Sequence, residues 1–232
     1  MKQTDFQTRT LTKKEKICGP FWLVFQVLAF PTLLQVLNML LPAPLPQAEV
    51  NFVFFAVNFI AVAILFRHYL WAQIRLIPEV LEKVLCFTVI GFAAYMVMNF
   101  LLMQVLFAMN PEFTSINDVT IQNLVAENYP MMFLGSVILV PITEETLYRG
   151  LVFRGIYDRS PVFAWIVSVL LFCAIHLIGY IGAYPWQTIL LCFVQYIPAG
   201  ICLAGAYRLS GSLLSPILIH VLVNLLAMLS LR

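Results

Sequence analysis

Seven apolar stretches divide this chain, at about 20–42, 51–66, 84–109, 130–148, 161–180, 187–207 and 212–231, and most are long enough to cross a bilayer as a helix. Inside hydrocarbon there is no water to satisfy backbone amides and carbonyls. A chain that crosses repeatedly is therefore limited to helices or a closed barrel, and runs of this length fit helices. The fold class that follows is all-α: a polytopic transmembrane helix bundle of about seven spans, within a range of roughly six to eight. Composition agrees, with 62% of the 232 residues hydrophobic and only 10% charged.

Charge placement gives an orientation. Lys and Arg fall at 2–16, at 67–83 (Arg67, Arg75, Lys83), at 149–159 (Arg149, Arg154, Arg159), at Arg208 and at Arg232, while the connections 43–50, 110–129 and 181–186 hold none. With seven spans, every basic segment except the terminal Arg232 falls on one side. The positive-inside rule makes that side the cytoplasm, with the N-terminus inside and the C-terminus outside a plasma membrane, bacterial by expectation. The basic start (Lys2, Arg9, Lys13, Lys14, Lys16) leads into an apolar run of about 23 residues, which suits a spanning anchor better than a cleaved signal. Net charge is +2, which argues against a nucleic-acid partner and leaves membrane lipid and a membrane-associated protein or peptide. The five cysteines (Cys18, Cys86, Cys173, Cys192, Cys202) form no CxxC pair and read as reduced packing residues. Pro31 and Pro141 are expected to kink their helices. Gly200, Gly205, Gly211 and Ser212 read as small surfaces for close helix contact, and Ser215 and Pro216 as the opening of the last helix.

Polar groups are few, and they cluster after residue 130. Glu144-Glu145-x-x-x-Arg149, Phe172-x-x-x-His176 and His220-x-x-x-Asn224 all lie in apolar stretches, where an ionisable residue is costly and marks a functional site by default. Two adjacent carboxylates cannot both ionise cheaply in a low dielectric without a cation. Arg149, four residues after Glu145 on the same face, supplies one, so Glu145 and Arg149 read as a supporting pair. Glu144, about 100° around the helix, faces elsewhere and suits a general base for water. The bland alternative pairs both acids with Arg149 and Arg154 at the membrane boundary. His176 and His220 suit holding a water, donating a proton, stabilising an oxyanion or binding a metal; singly, each is as readily a satisfied packing residue. Phe172 reads as packing, and His68 as an ordinary loop histidine. Asn224 shares a helical face with His220, as an oxyanion donor or as interhelical glue. Between Asn110 and Tyr129, Ile116, Val119, Leu124 and Val125 are spaced for a short surface helix, either a lid or, more plainly, an interfacial loop.

Together these motifs resemble the CPBP family, the CAAX-protease and bacteriocin-processing (Abi) intramembrane proteases. The resemblance rests on Glu144-Glu145-Thr-Leu-Tyr-Arg149-Gly150, Phe172-Cys-Ala-Ile-His176 and Gly211-Ser-Leu-Leu-Ser-Pro-Ile-Leu-Ile-His220-Val-Leu-Val-Asn224. It covers residues 130–232, the expected catalytic core of one integral membrane domain, with 1–129 as family-variable spans. It implies an intramembrane endopeptidase in which Glu144 activates water and His176 holds it. His220 and Asn224 would stabilise the oxyanion, and Glu145 and Arg149 would support the site. No cofactor is favoured; the alternative is zinc on Glu144, His176 and His220. Two other classes fit intramembrane polar groups: a bacteriocin-immunity or membrane interaction protein without catalysis, and a proton relay or transporter, against which the lack of an internal repeat counts. The substrate and oligomeric state are open. Depth is the difficulty. At ~1.5 Å per residue, Glu144 lies about 6–8 Å from the cytoplasmic end of its span and His220 about 12 Å, but His176 about 22 Å.

Overall fold

The computed structural model describes residues 11–231, so Lys2, Arg9 and Arg232 lie outside the described residues. The chain folds as α1 (Lys13–Leu28), α2 (Phe30–Met39), α3 (Gln47–Leu65), α4 (Arg67–Met109), α5 (Ile116–Glu127), α6 (Tyr129–Tyr157), α7 (Pro161–Ile175), α8 (Trp186–Ser210) and α9 (Leu214–Ser230). Each expected apolar stretch lies on a helix, and the protein is a helical membrane bundle. α3, α4, α6 and α8 are long and apolar enough to cross a membrane, and α1 with α2 form a fifth candidate, bent by 48°. The bend falls at Ala29, beside Pro31, which has no N–H to continue the ladder. α7 and α9, with 15 and 17 residues, are shorter.

The largest departure from expectation is α4. Residues 67–83 form no loop; they begin a helix of 43 residues, about 65 Å long, roughly twice the hydrocarbon thickness. Tyr69, Gln73 and Leu76 explain this: spaced i, i+4, i+7, they give the charged segment one buried face. Gln73 Oε1 accepts from the Leu213 N–H at 2.9 Å, and Thr88 Oγ1 donates to Ser215 Oγ at 3.1 Å. In a straight helix those two side chains would stand about 22 Å apart, yet their partners are two residues apart. Pro78 lies in the interval between them.

One carboxylate ties this end of the bundle together. Glu15, buried in the first turn of α1, accepts from Thr12 N–H at 2.6 Å in a capping box and from Tyr69 N–H at 2.9 Å in the first turn of α4. It thus satisfies orphan amides of two helices at once. Tyr69 in turn meets Tyr207 of α8, hydroxyl to hydroxyl, at 2.8 Å. Around them Phe66, Leu147, Phe153 and Ala164 form a common core.

In lipid, close packing rather than water exclusion holds helices together. A Cβ on Gly150 would sit 2.7 Å from the Tyr69 ring, and one on Gly200 would sit 3.0 Å from Val169. Gly205 meets only ordinary contact, at 3.5 Å from Trp165. Gly211 has a different purpose from the one its sequence suggests. No atom lies within 4 Å of its Cβ position, but its φ of +74° ends α8 in the left-handed region that favours glycine.

Candidate active site

α6 is not a uniform α-helix. Its hydrogen bonding widens to a π pattern at Gly135–Leu139 and again at Thr146–Phe153, on either side of Glu144 and Glu145. Such wider turns recur at functional sites, because they turn side chains and free carbonyls that a regular helix would occupy. Ser168 of α7 donates to a carbonyl of the second of these turns, Tyr148 O, at 3.0 Å.

Glu145 is fully buried, and its Oε1 is the hub of the first half of the site. It pairs with Arg149 Nη1 at 3.1 Å, as the i,i+4 spacing implied, and meets His220 Nδ1 at 2.9 Å. The second contact was not legible in the sequence. It orients the imidazole so that Nε2 faces away from the carboxylate. Arg149, also fully buried, donates to Gly200 O at 3.3 Å and lies over the Phe172 ring at 4.4 Å. Phe172 packs, as expected, and does so against both histidines of the site. Its ring meets Tyr148, His176, Tyr196 and His220 edge-on, at 4.8 to 6.5 Å between centroids.

Glu144 turns the other way. Its Oε2 lies 3.9 Å from His176 Nε2, and the two side chains are 19% and 15% exposed. His176 Nδ1 stands 2.8 Å from Phe172 O one turn back, so it is Nδ1 that carries the hydrogen and Nε2 that faces Glu144. Tyr196 stacks on the imidazole at 4.2 Å. Glu144 Oε2 has no hydrogen-bond partner among the described residues.

The depth conflict disappears in the hairpin of α6 and α7. α6 continues past the span drawn to 148 and ends at Tyr157, as a helix running beyond the bilayer is expected to, so Glu144 stands 13 residues before the turn and His176 stands 15 residues after α7 begins at Pro161. The two arms, about 20 and 22 Å, match. Counting Glu144 from a membrane boundary drawn at 148 shortened one arm.

Asn224 does not point both amide hydrogens at a reacting centre. Its Nδ2 donates to Ser136 O at 2.8 Å. The sequence of α6 explains why that carbonyl is free. In the π turn the Val140 N–H goes to Gly135 O, and the next residue, the one due to serve Ser136 O, is Pro141, which has no N–H. Pro141 thus acts by releasing a carbonyl that Asn224 takes, which leaves Asn224 one N–H to offer.

Two cavities meet at this point. One, of about 530 Å³, is lined by His220, Asn224, Phe172 and Tyr196; the other, of about 740 Å³, is lined by Glu144, Thr143 and residues of α1 to α3. His176 and Ser136 line both. So do Asn117 and Ile121 of α5, whose Ile116, Leu124 and Val125 are buried while Val119 is exposed. Within 110–129, Ile116–Glu127 is therefore a helix that lines both cavities rather than a plain interfacial loop. His68, expected in a loop, is in the first turn of α4. Among the described residues no three His, Cys, Asp or Glu side chains gather closely enough to hold one ion. Glu144 stands against His176, and His220 against Glu145. Tyr196, Ser136 and Asn58 lie outside every motif; only Asn58, a lone amide deep in an apolar run, carried a visible signal.

Residues 126–226, which hold all three motifs, match the model of a known family: Rce1-like, Type II CAAX prenyl endopeptidase Rce1-like. Over that segment the chain is similar to CAAX-type prenyl endopeptidases. That family is one of prenyl endopeptidases, and the long apolar helices α3, α4, α6 and α8 suit an integral membrane protein. No curated protein and no solved structure matches the chain.

Proposed function

We propose that the protein hydrolyses a peptide bond of a membrane-associated protein or peptide, with water activated by Glu144 and no metal required. The observation that carries this reading is the facing of Glu144 Oε2 and His176 Nε2, two acceptors 3.9 Å apart. The species that satisfies both is a water donating one hydrogen to each, its lone pair turned to a carbonyl carbon. As the C–O bond forms, Glu144 takes the proton and later returns it to the leaving amine as the C–N bond breaks. His220, held at Nδ1 by Glu145, presents Nε2–H to the developing oxyanion, and Asn224 adds its remaining N–H. With His220 protonated, Glu144, Glu145, Arg149 and His220 sum to zero charge, which suits a low dielectric. Substrate enters from the cytoplasmic side or laterally from lipid; a prenylated CaaX protein, a leader peptide and a bacteriocin precursor all fit this chemistry.

The test is cleavage by purified protein in lipid nanodiscs of a fluorogenic, S-prenylated CAAX-type peptide. Glu144→Gln is expected to lower kcat by about 10²–10⁴-fold, and His220→Ala by about 10²–10³-fold. Undiminished cleavage by either variant sinks the role assigned to that residue. Full protection or partner binding by an inactive Glu144→Gln protein in cells points instead to an immunity function.

A further inference from the structure

The cavity that holds Glu144 and His176 has a wall supplied by none of the motif residues. α3 provides it, through Asn51, Phe54, Phe55 and Asn58. Asn58 is 3% exposed, and neither its Oδ1 nor its Nδ2 has a partner among the described residues. A carboxamide buried this way is costly, and an apolar residue of similar size would avoid the cost. Nor is Asn58 isolated. Both its polar atoms and Ser136 Oγ are buried and unpaired, and all belong to residues lining this cavity. Packing alone does not gather unpaired donors and acceptors around one space; a ligand carrying the complementary groups does.

We propose that Asn58 binds the main chain of the peptide substrate, its Oδ1 accepting from a substrate N–H and its Nδ2 donating to a substrate C=O. This rests on the peptidase reading and deepens it. A peptide backbone offers a donor and an acceptor at every residue, which a carboxamide can match whatever the side chains are. A lipid tail entering the same space offers neither. Phe54, Phe55 and Ile175 give the same cavity apolar walls, and a hydrogen bond made in such surroundings is stronger than one made in water. Asn51, two turns earlier on the same face, stands about 10 Å away, roughly the span of three residues of extended peptide. α3 thus presents a strip along which a substrate would lie extended past Glu144. α3 precedes the segment 126–226 that matches the family, so the match does not reach it.

Asn58→Leu removes both hydrogen bonds and keeps the volume. Cleavage of the S-prenylated fluorogenic peptide in nanodiscs is expected to fall about 10- to 100-fold in kcat/KM, while the unfolding temperature holds or rises. A merely structural role would lower the unfolding temperature and leave kcat/KM unchanged. A scan of N-methylated peptides supplies a second readout. One methylated amide should cost wild type about tenfold or more and cost Asn58→Leu nothing. No such position, or unchanged kcat/KM in Asn58→Leu, overturns the proposal. If wild type cleaves no peptide, the peptidase reading fails separately. Binding of the same peptide, followed by anisotropy, then decides: weaker binding by Asn58→Leu supports the role of Asn58, and equal or absent binding overturns it.

Discussion

Removing Glu145 separates what holds the site together from what works in it. Glu145→Ala leaves Arg149 fully buried with a neutral carbonyl, Gly200 O at 3.3 Å, as its polar partner, and leaves His220, 7% exposed, without an acceptor at Nδ1. Breaking a buried ion pair from one side costs about 3–5 kcal/mol, and an unpaired buried donor adds about 1–3 kcal/mol. The total, about 4–8 kcal/mol, is the size of a whole domain's stability, so Glu145→Ala protein should accumulate poorly and unfold at much lower denaturant. Removing both ends of the pair is different. In Glu145→Leu/Arg149→Met no buried guanidinium is stranded, and replacing both ends of such a pair is often neutral or stabilising. Reversible unfolding in mixed micelles should therefore show most of the stability regained in the double variant. Peptide hydrolysis should not return, because His220 still lacks the carboxylate that aims it. Recovery of hydrolysis together with stability would show that Glu145 serves only to neutralise Arg149, and the role of the Glu145–His220 bond would be refuted. A double variant as unstable as Glu145→Ala would refute the ion-pair reasoning.

Two further predictions concern the scaffold. Asn224→Ala should lose about 1–3 kcal/mol by stranding Ser136 O. Adding Pro141→Ala, which restores an N–H for that carbonyl, should make the pair less destabilised than the sum of the singles in a denaturant-unfolding cycle; strict additivity counts against the link. Gly150→Ala should cost about 1–3 kcal/mol, because Tyr69 is tied by its hydroxyl to Tyr207 and by its N–H to Glu15 and cannot retreat. Gly155→Ala, with nothing within 4 Å in the same helix, should gain about 0.5–1 kcal/mol. Equal unfolding midpoints for these two variants would contradict the packing read here.

The local parts of the site were legible, because short helical spacings are fixed by the backbone. Glu145 with Arg149, His220 with Asn224 and the packing role of Phe172 all follow from i,i+4 geometry. What crossed between helices was not. The bond from Glu145 to His220 joins residues 75 apart, and no spacing rule reaches that far. Residues 67–83 misled because charge there reads as loop, while the buried face of Tyr69, Gln73 and Leu76 is visible only in helical register. Pro141 was read only as a kink, while its missing N–H also leaves Ser136 O to Asn224.

The equal arms of the α6–α7 hairpin place a demand on chain length that has nothing to do with chemistry. Residues added at 158–160 lengthen the turn and leave Glu144 and His176 opposite one another. A single residue inserted between Pro161 and His176 moves the imidazole about 1.5 Å along α7 and about 100° around it, out of line with Glu144. The hairpin is a ruler read from its closed end, and it tolerates insertions only where it is not counting.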